Sequence, residues 1–224
     1  MDITFLKVRD LDEAWWRSIR EVLLHGYEYT IDRGSHAGQK RKEFDLIVCQ
    51  IEHPKIGPLV PIVPEGIPVP TSIDYVEKEY LPYLMANIKK EREQYTYGEY
   101  VEPQFLEICK MYKEDGFNTN QATISVGEMK SIYLDDPPCL RLIDTRVRYG
   151  ALHYVVYFRS WDLYSGFPSN LAAIQLMKEM MAKEIGVEDG QIIAISKGLH
   201  LYDHHWELGK AIARLSDDDY NRKS

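Results

Sequence analysis

The segment from Leu140 to Ser160 limits the fold more than any other. LRLIDTRVRYG and ALHYVVYFRS are two runs rich in β-branched and aromatic residues that meet at Tyr149–Gly150. Such a pair reads as an antiparallel hairpin. A hairpin sets register, because every pairing is counted outward from its turn. Counting outward from Tyr149–Gly150 puts Cys139 opposite Arg159 to within about one position. The chain must then hold a sheet in which a cysteine and an arginine lie side by side at the end of two neighbouring strands.

The elements around this hairpin follow from periodicity. Asp10 to His25 reads as an amphipathic helix, with Leu11, Trp15, Ile19, Val22 and Leu23 on one face, Asp10 as N-cap and Gly26 as its end. FDLIVCQI, residues 44–51, reads as a buried strand. Pro54, Pro58, Pro61, Pro64, Pro68 and Pro70 make the next stretch loop or extended edge. No change of composition follows it, so it reads as a surface excursion rather than a domain linker. Ser72 to Arg92 returns to helical spacing with a break at Pro82, and Glu102 to Glu114 is a second helix. QATISVGEM reads as a strand leading towards Cys139. Ser169 to Ile185 is a helix with Leu171, Ile174, Met177, Met181 and Ile185 in one stripe and Pro168 suited to its first turn. QIIAIS is a further strand, LHLYDHHWELGKAIARL runs into a last helix, and DDDYNRKS reads as a solvated, frayed end. The expected fold class is α+β: one mixed sheet covered by helices, in a single domain over 1–224.

Composition excludes several classes. The 224 residues suffice for a sizeable core. A net charge of −8 argues against a broad nucleic-acid surface. The three cysteines, Cys49, Cys109 and Cys139, are too widely spaced for a metal knuckle or a disulfide framework. No apolar run approaches the length of a membrane span, and MDITFLKVRDLDEAWW lacks the layout of a signal peptide. A reducing, cytoplasmic setting is the expectation.

Cysteine is a nucleophile only as thiolate, and a neighbouring cation lowers its pKa. The Cys139–Arg159 pair therefore points to nucleophilic chemistry; the alternative is a small buried filler. Further motifs follow in order: Pro138–Cys139, then Arg159–Ser160–Trp161–Asp162, then Gly166–Phe167–Pro168–Ser169–Asn170, then His200–Leu201–Tyr202. In order and spacing these resemble the thymidylate synthase family, a divergent, short, archaeal-type member. Upstream, HGYEYTIDRGSHAGQKRKEFDLIV resembles the family's first helix, arginine loop and first strand, and EKEYLPYLM the helix of its catalytic glutamate.

The resemblance implies a methyltransferase that converts dUMP to dTMP through a covalent adduct on Cys139. The methyl group would come from methylene-tetrahydrofolate or a related reduced pterin such as methylene-tetrahydromethanopterin. Cys139, Glu79, Arg159 and Asp162 would be catalytic: nucleophile, proton-transfer organiser, phosphate clamp with a lowering effect on the thiol, and pterin contact. Arg33 and Ser160 would join Arg159 on the phosphate. Asn170 would read the uracil edge with one donor and one acceptor. His200 and Tyr202 would hold the sugar hydroxyl, and Tyr97 would line the pocket.

Each residue also has a plainer role open to it. Asn170 could be a helix N-cap, Arg159 and Asp162 a surface pair, Glu79 solvated helix surface, and Tyr97 one tyrosine among sixteen. His200, Asp203, His204 and His205 lack the glutamate of a zinc helix, and no metal is expected.

The sequence departs from the family pattern at Leu140, Phe158 and Lys197–Gly198–Leu199, and its tail differs. FNTNQATISV lacks the arginine pair that family dimers lend to the partner's phosphate. A homodimer is the family default, and that absence makes a monomer the competing expectation. Two other functions stay open: a pyrimidine nucleotide hydroxymethylase, and a nucleotide-binding homologue without turnover.

Overall fold

The computed structural model describes residues 1–89, 91 and 93–221. In chain order it contains β1 (Ile3–Val8), α1 (Leu11–His25), β2 (Tyr27–Thr30), β3 (Lys40–Glu43) and β4 (Leu46–Ile51). Next come α2 (Ile73–Tyr75), a π-helical turn (Val76–Tyr80), α3 (Leu81–Met85), α4 (Gly98–Glu114), β5 (Thr123–Ser125) and a 3-10 turn (Met129–Tyr133). They are followed by β6 (Leu140–Arg148), β7 (Ala151–Phe158), β8 (Trp161–Asp162), α5 (Gly166–Ile185), β9 (Glu188–Ser196) and β10 (Leu199–Tyr202). A 3-10 turn (Asp203–His205), α6 (Trp206–Ala213) and α7 (Asp217–Asn221) complete it.

The hairpin forms as its turn chemistry requires. Tyr149 and Gly150 both have positive φ, 55° and 76°, the backbone that matches the twist of a two-residue hairpin. Arg148 pairs with Ala151 and the ladder runs to Leu142 opposite Tyr157. A bulge at Arg141 then shifts the register, so that Leu140 faces Phe158. Beyond it the Arg159 N–H donates to the Cys139 carbonyl at 2.8 Å.

There are two mixed sheets where one was expected. The larger has the order β1-β4-β9-β7-β6-β5; the smaller is β2-β3-β10-β8. The division arises because β10 pairs with β3 and β8 rather than continuing β9. One face of the larger sheet is buried under helices through Leu6, Ile47, Val156, Ile192 and their neighbours. The opposite face is only partly shielded, with Ile3 69% and Phe5 59% exposed. The helices thus cover one side of the sheet rather than enclosing it.

Helix α1 follows its periodicity: the Asp10 carboxylate accepts the Glu13 N–H, and Trp15, Ile19, Val22 and Leu23 are buried. The run from Ser72 is helical but ends at Met85. Pro82 has no N–H to donate, and the turn before it widens, with the Leu81 N–H reaching the Val76 carbonyl. The expected end at Arg92 and the neighbouring Lys90 lie outside the described residues. Helix α4 starts at Gly98, ahead of the expected Glu102, and α5 at Gly166, ahead of Ser169. Strand β1 and the β2–β3 ribbon had no counterpart in the periodicity.

The C-terminal stretch is more ordered than expected as far as Asn221. The Tyr220 ring lies between Lys42 Nζ at 4.5 Å and Lys210 Nζ at 4.3 Å, contacts that hold a short helix in place. Residues 222–224 of the expected frayed end lie outside the described residues. Among the described residues no helix is long and apolar enough to cross a membrane.

Candidate active site

Two clefts meet at Asp136, and one of them holds Cys139. The first has a volume of about 600 Å³ and is lined by Arg33, Cys139, Arg159, Ser160, Asp162, His200 and Tyr202, all expected from sequence. They arrive from the β2–β3 loop, the start of β6, the exit of β7, β8 and β10. The second, of about 490 Å³, is lined by Glu79 and by Tyr75, Tyr80, Tyr83 and Tyr95, and Asp136 borders both. Glu79 is therefore not in the first cleft but across from it on the π-helical turn.

The stretch RSWDLYSGFPSNL acts as a scaffold for these walls. The Arg159 guanidinium donates from Nε to the Pro138 carbonyl at 3.2 Å and from Nη2 to the Pro137 carbonyl, and pairs with Asp136 at 3.3 Å. It ties down the loop that delivers Cys139, and it does not pair with Asp162. Trp161 stacks on Phe158 at 3.8 Å, and its indole N–H donates to Asn170 Oδ1 at 2.7 Å. Asp162 accepts from the backbone N–H groups of Tyr164, Ser165 and Gly166 at 3.2, 3.0 and 2.9 Å. A carboxylate there offsets the orphan donors and the positive dipole end of α5.

Asn170 is thus neither an N-cap nor a member of the first cleft's lining. It is buried in the second turn of α5 with its carbonyl committed to Trp161. Tyr97 is also buried, outside both linings; its Oη accepts the Leu140 N–H at 3.2 Å and braces the residue after the cysteine. Tyr83 packs edge-on against Tyr97 at 5.0 Å, and Tyr95 lies 5.9 Å away.

Electrostatics alter one expectation. Burial pushes the Cys139 thiol above its ordinary pKa; Arg159 pulls it down and Asp136 pushes it up. Burial wins, because Arg159 is already shared with Asp136 and two carbonyls, so the net effect is not the lowering expected from sequence. His200 is buried, and its pKa falls from 6.5 to about 4, first by burial and then by the nearby Arg41 charge. Its Nδ1 lies 2.8 Å from the Gly198 carbonyl. A carbonyl can only accept, so Nδ1 carries the proton and Nε2 is an acceptor. Nε2 is buried without a partner. Tyr202 packs edge-on to His200 at 4.8 Å, and His36 packs on Tyr202 at 4.8 Å.

Sequence reasoning missed Arg41, Glu43, His36 and Lys197, which also line the first cleft. Arg41 pairs with Glu43 at 2.7 Å and donates to Tyr29 Oη at 2.6 Å. Alternation along KRKE could have revealed it: Arg41 and Glu43 share the cleft face, and Lys42 is buried on the other. No group of three His, Cys, Asp or Glu side chains among the described residues could hold a metal ion.

Comparison with known proteins gives the same direction. The family profile described as "Thymidylate synthase" matches residues 117–219. A provisionally assigned thymidylate synthase of Methanosarcina acetivorans is 26% identical over 93% of this chain and 94% of its own length. One from Methanothermobacter marburgensis is 24% identical over 93% and 97%. The thymidylate synthase of Listeria monocytogenes serotype 4b is 33% identical, over 48% of this chain and 34% of its own length.

Proposed function

Since this chain belongs to the thymidylate synthase family, we propose that it methylates dUMP to dTMP, with Cys139 as nucleophile and a methylene-carrying reduced pterin as donor. The observation that carries this reading is the convergence of Cys139, Arg33, Arg159, Ser160, His200 and Tyr202 on one cleft. Cations, a half-buried thiol, and a histidine with an unpartnered acceptor suit a nucleotide's phosphate, base and sugar hydroxyl.

The Cys139 sulfur adds as thiolate to carbon 6 of the uracil, and carbon 5 becomes the nucleophile. Asn170, buried behind the cleft with its carbonyl on the Trp161 indole, acts on the base site by holding Trp161 in place. His200 Nε2 accepts from the sugar hydroxyl, with Tyr202 beside it. Glu79, facing the second cleft, organises removal of the carbon-5 proton. Cys139 leaves as the ring double bond re-forms. The four tyrosine rings of the second cleft fit a flat heterobicycle, while Asp162 lines the first cleft. Bound there, the reduced pterin supplies a methylene carbon and a hydride. The tyrosines orient it and keep water from the adduct.

The partly shielded sheet face carries Leu46, Val48, Val155, Tyr157, Ile193 and Ile195. An apolar face of this kind is suited to a second copy of the chain, so a homodimer is the assembly expected by light scattering. The function is tested by incubating the protein with dUMP and methylene-tetrahydrofolate or methylene-tetrahydromethanopterin and weighing the nucleotide product. A methyl gain is expected. A hydroxymethyl gain would replace the proposal with a hydroxymethylase, and unchanged dUMP would leave a binding protein.

A further inference from the structure

Four cations line the first cleft, and they are not equally available. Arg41 is committed to Glu43 and Tyr29. Arg159 is committed to Asp136 and the Pro137 and Pro138 carbonyls. Arg33 and Lys197 both line the cleft and are exposed. Lys197 precedes the strand that carries His200, and its charge is felt at Glu43 on the paired strand β3. It is held close to the Arg159–Ser160 wall. The Trp161 N–H donates to the Gly198 carbonyl at 2.8 Å, and a side chain at Gly198 would come within 3.0 Å of the Arg159 carbonyl. The backbone that follows Lys197 is therefore tied to the Arg159–Trp161 segment that bears Ser160.

Resting on the dUMP reading, we propose that Lys197 is a phosphate-binding residue of this cleft, acting with Arg33 from the same chain. Two cations without an ion pair among the described residues match the two charges of a nucleotide monophosphate. Lys197 makes the site selective for dUMP over its nucleoside, deoxyuridine. A lysine suits this position because it can reach the phosphate as a mobile point charge, while Arg159 stays fixed under the Cys139 loop.

The test is calorimetric titration of the full chain with dUMP and with deoxyuridine, for wild type, Lys197→Met and Lys197→Arg. Wild type is expected to prefer dUMP. Lys197→Met should lose about tenfold or more of dUMP affinity, the scale of one charge-assisted contact, and leave deoxyuridine binding unchanged. Lys197→Arg should retain most of the preference. Equal weakening of both ligands by Lys197→Met, or no change in either, overturns the assignment of Lys197 and leaves the dUMP reading standing. Failure of wild type to bind either ligand overturns the dUMP reading and this inference with it.

Discussion

The buried neutral state of His200 makes a specific demand on stability. In the unfolded chain this imidazole takes a proton near 6.5; in the fold it resists until about 4. Between those values the unfolded state binds the proton and the folded state does not, so acid favours unfolding. The stability tied to neutral His200 is complete above 6.5, declines as pH falls through that window, and levels off below about 4. Between about pH 7 and about pH 5 the linkage relation gives a loss of about 2 kcal/mol from this one group. Urea denaturation at the two pH values measures the loss. The control is His200→Gln, which keeps a donor for the Gly198 carbonyl and has no proton to gain. Wild type should lose about 2 kcal/mol more than the variant between the two conditions. An identical loss in both proteins would refute the argument, because it would mean that His200 charges freely within the fold.

Other expectations follow from the same geometry. Asp162→Ala removes an acceptor for three backbone N–H groups at the start of α5 and should cost about 1–2 kcal/mol in thermal or urea unfolding, with Asp162→Asn costing less. Trp161→Phe keeps the stack on Phe158 but strands the Asn170 carbonyl, for a loss of about 1–3 kcal/mol. Arg159→Gln removes the cation that opposes burial at Cys139, so alkylation of Cys139 by iodoacetamide should shift to higher pH. In wild type, kcat/KM for dUMP should rise with pH as the raised Cys139 thiol ionises, and no inflection from His200 should appear near neutrality.

The hairpin was legible because two properties agreed: β-branched and aromatic runs on both sides, and a turn pair able to take positive φ. Register then followed by counting. The bulge at Arg141 was not legible, since nothing in local propensity separates an extra residue from a paired one. The start of α5 was hidden because Gly166 reads as a loop residue and Pro168 as the helix start, and Asp162 caps the true first turn from outside the helix. The strand KRKE was hidden because a charged run reads as solvated surface. Its role shows only once Tyr29, Glu43 and the cleft are in place around Arg41. Asn170 shows the reverse failure. The motif identified the residue, but the bond to Trp161 that occupies its carbonyl depends on the stacking of Trp161 on Phe158, which sequence spacing does not encode.

The central claim is that Cys139 activates a uracil nucleotide by covalent addition. Release of tritium from dUMP labelled at carbon 5 tests it most directly, with methylene-tetrahydrofolate, with methylene-tetrahydromethanopterin and with neither, and with Cys139→Ala alongside. The account predicts release by wild type that Cys139→Ala abolishes, and the faster donor identifies the pterin class. Measurable dUMP binding without release under any condition, or release that survives Cys139→Ala, would contradict it.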